Sequence, residues 1–114
     1  MLKKNVLRKK SDFSCLYNKG KSVGEKYLVL IYRKNNLSYN RRAFLASKKI
    51  GGSVQRNRAR RLLRESYRAL EDNLEVGYDV IFIARKNIIN LKYADVKKSM
   101  EAAVKKSNLF MNVR

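Results

Sequence analysis

KKIGGSVQRNRARRLLRESYR, residues 48–68, sets six arginines and one asparagine into the thirteen positions from Arg56 to Arg68, just after a lysine pair and a Gly-Gly turn. Wound at about 100° per residue, Ala59, Leu62, Leu63, Ser66 and Leu70 gather on one side, the i, i+3, i+4, i+7 spacing of a core-facing stripe. Asn57, Arg60, Arg61, Arg64 and Arg68 fall on the opposite side. Gly51-Gly52 breaks any preceding element, and Ser53 reads as the N-cap of the basic helix. The arginines are thus presented as an ordered row. An ordinary solvated helix face would mix signs to form i, i+4 pairs; here only Glu65 sits at the edge. Arginine suits phosphate because its planar fork donates two parallel hydrogen bonds and stays charged at any working pH. The partner this face indicates is a polyanion.

The flanks of the segment give the fold. Before it, Arg42–Ser47 (RAFLAS) reads as a strand. After it, past a turn at Gly77, Asp79–Ala84 (DVIFIA) is a nearly unbroken apolar run, the pattern of a strand covered on both sides. Strand, helix, strand over residues 42–84 is a βαβ unit with the basic helix in the crossover, which implies at least one parallel pair. Upstream, Lys26–Arg33 (KYLVLIYR) is a strand whose alternation splits Tyr27, Val29 and Ile31 from Leu28, Leu30 and Tyr32. KNNLSYN is turn chemistry. Ser11–Lys19 reads as a short helix capped by Ser11, with Gly20 just past its end and Phe13, Leu16 and Tyr17 on one face. Tyr93–Ser107 is a last amphipathic helix with Ala94, Val96 or Lys97, Met100, Ala103 and Val104 toward its inner side. The reading is an α/β chain folding as an α+β sandwich, one domain across residues 1–114, element order αββαβα, with a mixed sheet.

Composition agrees with a folded polyanion binder. Lys and Arg number 28 against 9 Asp and Glu, a formal charge of +19, while the hydrophobic fraction of 45% exceeds that of a disordered basic tail. No apolar run approaches the length of a membrane span, and the charged start MLKKNVLRKK is not followed by an apolar signal region. The single Cys15 fits a reducing cytoplasm and, with no histidine in the chain to activate it, reads as a small inert thiol. The absence of histidine also excludes a zinc site of the usual ligand set. Glu71, Asp72 and Glu75 form the only acidic cluster. A two-metal nuclease needs convergent carboxylates that hold ions about 4 Å apart, and these three fit solvated turn acids better.

KKIGGSVQRNRARRLLRE resembles the signature of the bacterial ribonuclease P protein subunit: a Lys-rich strand end, a glycine turn, then an Arg-Asn-Arg helix carrying further basic residues. LRKKSDFSCLYNKGKSV is similar to that family's N-terminal helix, with a Phe and a second aromatic four residues later, and VGYDVIFIARKN to its last strand. The resemblance covers about residues 7–110. Two positions depart from it: Gly52-Ser53 stands where Asn-Ala is usual, and Arg60 where Lys is common.

The resemblance implies a protein cofactor for a catalytic RNA that removes the 5′ leader from precursor tRNA using Mg²⁺ held mainly by the RNA. On this reading the partners are the ribonuclease P RNA and precursor tRNA, neither a membrane nor DNA is expected, and the protein itself carries no catalytic residue. Lys48, Lys49, Arg56, Asn57, Arg58, Arg60, Arg61, Arg64 and Arg68 become the RNA-binding set, acting by phosphate neutralisation. Asn57 either bonds a ribose hydroxyl or base edge or supports the helix start. Phe13 and Tyr17, with Val29 and Ile31 as floor, become a cleft for the single-stranded leader, although their spacing alone fits core residues. Aromatics stack on unpaired bases with little sequence preference. Metal positions on the protein are not indicated. The competing reading is a ribosomal or other structural RNA-binding protein with no part in cleavage, which would share the charge and size.

Overall fold

The computed structural model describes residues 4–111; the first three residues of the charged start MLKKNVLRKK lie outside the described residues. Three helices and four strands run in the order α1 (Lys10–Lys19), β1 (Lys21–Gly24), β2 (Leu28–Lys34), β3 (Arg41–Leu45), α2 (Ser53–Leu70), β4 (Tyr78–Ala84) and α3 (Tyr93–Lys106). The order αββαβα is present, with the short edge strand β1 added between α1 and β2. The sheet order is β1-β2-β4-β3, antiparallel at β1·β2 and β2·β4 and parallel at β3·β4. The basic helix α2 is therefore the crossover between two parallel, adjacent strands. No helix among the described residues is long and apolar enough to cross a membrane.

Register sorts the strand residues into rows, and alternation sends successive rows to opposite faces. Leu30, Phe82 and Phe44 form one row and Tyr32, Val80 and Arg42 the next on the same face. That face is covered by α2 and α3 through Ala59, Leu62, Leu63, Tyr67, Val96 and Met100. Phe82 is fully buried at its centre, with ring centroids 6.1 Å from Phe44 and 5.6 Å from Tyr67; truncating such a residue costs about 3–5 kcal/mol. The other face carries the rows Val29–Ile83–Leu45 and Ile31–Ile81–Ala43. Here Leu7 and Leu16 bury against Ala43 and Ile81, while Phe13, Ile31, Leu45 and Ile83 are only half-buried. One short helix cannot cover a four-stranded sheet, so this face stays partly open.

Several local expectations are corrected. Helix α1 starts at Lys10, with Lys9 as its unbonded N-cap and Ser11 inside the first turn; the Lys9 carbonyl receives the Asp12 and Phe13 amides instead. Gly20 does succeed α1, but in extended geometry. Its N–H reaches the Leu16 carbonyl at 2.8 Å, and a Cβ there would lie 2.5 Å from that oxygen. The residue is thus glycine because of close approach and not because of a left-handed turn. Gly52, and not Ser53, is the N-cap of α2, with no side-chain cap. The serine that caps is Ser47, which accepts from the Lys49 amide at the start of a 3-10 turn over Lys48–Ile50. Tyr67, absent from the sequence-read stripe, is 2% exposed. In α3 Ala94 faces solvent, and Ser99 takes a buried place beside Val96 and Met100.

Candidate nucleic-acid interface

Helix α2 buries Ala59, Leu62, Leu63, Ser66, Tyr67 and Leu70 and turns its arginines outward or to its flanks. Arg61, Arg64, Arg68 and Asn57 are exposed, and Arg56 and Arg60 are half-buried on one flank. The ion pairs among the described residues are Arg41 with Asp12 and Asp79, Lys97 with Glu101, and Lys106 with Glu25. None involves an arginine of α2. The helix therefore holds a row of guanidinium groups with no carboxylate within ion-pair distance, and like-charge repulsion along it is relieved by an incoming anion.

The seven residues of the row do not stand alike. Asn57 Oδ1 accepts a hydrogen bond from Arg60 Nη2, an i, i+3 contact within the helix. The Arg56 Nε is buried without a partner. Arg58 turns to the other flank, where Nε donates to the Ile89 carbonyl at 3.3 Å and Nη2 to the Leu91 carbonyl at 3.0 Å. Lys48 and Lys49 are exposed on the 3-10 turn that leads into the helix.

Because β3 and β4 run parallel, the chain leaves both at the same end of the sheet. Lys48 and Lys49 come after β3 there, and Arg85 and Lys86 after β4. Antiparallel β2 begins at that end, just after Lys26. A groove of about 880 Å³ lies between these segments, lined by Lys26, Ser47, Lys49, Ile50, Ala84, Arg85, Lys86, Asn87, Ile89 and Asn90. It holds four cations and no acid. Sequence reading missed Lys26, Arg85 and Lys86. The signal was present as an Arg-Lys pair directly after a buried strand, but it acquires meaning only once that strand is known to lie parallel to β3.

Of the four residues expected to form the cleft, Phe13 and Ile31 meet in the cluster beneath α1, and Val29 lies one row along on the same face, paired with Ile83 and Gly24. Tyr17, one turn after Phe13, is 54% exposed and does not share the burial of Leu16. The row Val29–Ile83–Leu45 is the last on this face before the basic end. Arg85 reaches back over it: a Cβ on Gly24 would lie 2.9 Å from Arg85 Nη2. The groove's apolar lining, Ile50, Ala84 and Ile89, belongs to the core on the helix side of the sheet, and Arg85 is the group that links the groove to the edge of the open face.

Other polar features have structural occupations. Arg33 Nη1 donates to the Cys15 sulfur. Asp79 and Asp12 are held by Arg41. A larger hollow, about 1030 Å³, sits at the opposite end of the sheet between Lys4, Arg42, Tyr67, Glu71 and Asp72. It has mixed charge and contains none of the nine expected RNA-binding residues and none of the four expected cleft residues. Among the described residues no group of three or more His, Cys, Asp or Glu side chains is placed to hold a metal ion.

Comparison with known proteins agrees along nearly the whole chain. Residues 1–108 match the family model described as Ribonuclease P. The ribonuclease P protein component of Caldanaerobacter subterraneus subsp. tengcongensis is 44% identical over 104 residues, covering 91% of this chain and 90% of that protein. That of Thermoanaerobacter sp. (strain X514) is 44% identical over 111 residues, covering 96% of each. Among solved structures, the RNase P protein of Staphylococcus aureus superimposes with a TM-score of 0.86 at 28% identity over 96% of this chain and 100% of its own. The RNase P protein of Thermotoga maritima gives 0.80 at 28% identity over 88% and 94%.

Proposed function

Since this chain belongs to the ribonuclease P protein family, we propose that it binds the catalytic RNA of that enzyme through α2 and the 5′ leader of precursor tRNA through the open sheet face. The observation that carries this reading is the continuity of two surfaces. An unneutralised arginine row lies on the crossover helix, and the basic groove of Lys26, Lys49, Arg85 and Lys86 lies at the end of the sheet where that helix begins, with Arg85 also reaching the edge of the open face beside Gly24.

Each surface suits one kind of nucleic acid. Arg61, Arg64 and Arg68 project from a rigid helix, as contact with the phosphates of a folded RNA requires. Asn57, tied to Arg60, sits among them with its amide N–H groups free to reach a ribose hydroxyl. The open face has half-buried side chains that give apolar area to unpaired bases, with Phe13 and Tyr17 as ring contacts. The basic groove takes the backbone phosphates that accompany those bases. The surface reads no base edge in a fixed pattern, which suits leaders of varied sequence.

Cleavage belongs to the RNA in this scheme. Among the described residues Asp12 and Asp79 are held by Arg41, and Glu71 and Asp72 sit in the 3-10 turn Glu71–Asn73, at the far end of α2 from its basic start. We therefore assign Mg²⁺ to the RNA and derive no step through it. The protein's contribution is affinity: neutralising phosphates that would otherwise repel one another as leader and catalytic RNA approach. A cytoplasmic location, with Cys15 as a reduced thiol, fits this role, and DNA and membranes are not among the proposed partners.

The test is cleavage of a leader-bearing precursor tRNA by a bacterial ribonuclease P RNA at low Mg²⁺, with and without this protein. Stimulation that grows with leader length is the expected result. Tight, salt-sensitive RNA binding with no stimulation would return the chain to the class of general RNA-binding proteins.

A further inference from the structure

Arg58 belongs to the Arg-Asn-Arg motif, yet its geometry sets it apart from the other arginines of α2. Its guanidinium is turned off the row and forked onto two carbonyls of the segment after β4, Nε to Ile89 at 3.3 Å and Nη2 to Leu91 at 3.0 Å. Those carbonyls lie in the 3-10 segment Lys86–Asn90 and in the stretch joining it to α3, whose first helical residue is Tyr93. The same segment begins with the cations Arg85 and Lys86 that form one wall of the basic groove, and the opposite wall is Lys49, at the entry to α2.

We infer that Arg58 is a positioning residue: by clamping the segment Lys86–Leu91 to α2 it fixes the spacing between the two cationic walls of the groove, and so sets affinity for the leader. This rests on the proposed binding of the leader at the open sheet face. The physical argument is one of preorganisation. Arg85 and Lys86 repel Lys26 and Lys49 across the groove, with no acid among its lining residues to offset them. Left to itself, a short surface segment under that repulsion swings outward, and the leader must then supply the free energy of closing it. Ile88 anchors the middle of the segment in the core and Ile89 and Leu91 pack partly against it; on this C-terminal side Arg58 adds the hydrogen bonds that tie the backbone itself to α2. The hold needs the planar fork of arginine, since the two acceptors are two residues apart and an ammonium group is a single point. Asn57, Arg61 and Arg64, on the outward side, make no such contact with the segment.

The experiment uses enzyme reconstituted with a bacterial ribonuclease P RNA and measures affinity for precursor tRNA with a long and with a minimal leader. The variants are Arg58→Ala, Arg58→Lys, Arg85→Ala/Lys86→Ala and the combination of Arg58→Ala with that pair; Lys98→Arg, on the exposed side of α3 and outside both proposed contact surfaces, serves as comparison. The expected result is that Arg58→Lys loses leader-dependent affinity about as much as Arg58→Ala, roughly five- to tenfold, while Lys98→Arg loses little. In the Arg85→Ala/Lys86→Ala background the Arg58 substitution has almost no further effect, because the groups it positions are gone. In the free protein, amide hydrogen exchange at residues 88–91 rises in both Arg58 variants and not in Lys98→Arg. Arg58→Lys at wild-type affinity, or a purely additive combination, overturns the inference and makes Arg58 an ordinary phosphate contact. Wild-type protein with no leader-dependent gain overturns the proposed function itself, and the inference with it. Should Arg58→Ala fail to fold, Arg58→Lys carries the comparison through both readouts.

Discussion

The Arg41 guanidinium grips the Asp79 carboxylate at two points, Nε to Oδ1 at 2.8 Å and Nη2 to Oδ2 at 2.7 Å, directly across the parallel pair β3·β4. Asn35 adds a third bond to Oδ1 at 2.9 Å, and Arg41 Nη1 reaches Asp12 of α1 at 3.4 Å. The Arg41 pKa is raised further above its ordinary value, first by its hydrogen bond to Asp79. This network pins the register of the two parallel strands whose far ends carry the two basic pairs.

Breaking the network on one side should therefore be costly. Replacing Asp79 with Ala leaves Arg41 facing Asp12 alone in a partly buried site. The expected loss is about 2–3 kcal/mol, below the 3–5 kcal/mol typical of a fully buried pair because both side chains keep some solvent contact. Asp79→Asn, which keeps one acceptor, should lose less. Urea unfolding with an unchanged m-value reads both.

Alkaline pH tests the seat of Tyr67. Burial, with a smaller contribution from the Glu71 charge, pushes its phenol up to about 12 from an ordinary 10. A folded pKa above the unfolded one gives stability that is complete below pH 10 and is lost as pH rises toward 12 and beyond. The loss attributable to this group is about 2–3 kcal/mol at most. Since many lysines titrate in the same window, the measurement is the difference between wild type and Tyr67→Phe, which should show the shallower decline.

On the helix, Arg61→Ala or Arg64→Ala should weaken RNA binding and reduce the slope of log affinity against log salt by about one per lost phosphate contact, with the melting temperature unchanged. An unchanged slope would remove the outward row from the contact surface.

On the open face, Tyr17 and Phe13 separate recognition from packing. Tyr17 is largely exposed, so Tyr17→Ala should cost about 1–3 kcal/mol of leader affinity with little effect on stability. Phe13 is half-buried against the cluster of Leu7, Leu16, Ala43 and Ile81, and Phe13→Ala should lower both. Stability and affinity measured on the two variants decide whether the face is a base-stacking surface or simply an uncovered part of the core.

Much of this molecule is legible along the chain, because the information is local. The periodicity of Ala59, Leu62, Leu63, Ser66 and Leu70 fixes the inner face of α2 whatever it packs on, and the apolar run DVIFIA fits a strand packed on both faces, although Ile83 is only half-buried on the open one. The excess of arginine over acid between Arg56 and Arg68 identifies a polyanion partner before any fold is known. Tyr67 escaped because an aromatic at the margin of a stripe is decided by its neighbours: Phe44 and Phe82 close over it in three dimensions. The cap of α2 falls on Gly52 instead of Ser53 for a related reason, since the two are adjacent and only the path of the backbone decides where the first helical turn begins.

Only the tertiary structure decided where the cations meet. Lys26, Lys49 and the pair Arg85-Lys86 lie far apart in sequence, and each reads locally as an ordinary charged flank. The parallel register of β3 and β4, with β2 antiparallel beside them, brings all of them to one end of the sheet, next to the Val29–Ile83–Leu45 row. Arg58 shows the converse: a residue whose sequence context says polyanion contact is held by hydrogen bonds to its own chain. Composition and periodicity fix what a helix face is made of; only the pairing of distant strands fixes what stands opposite it.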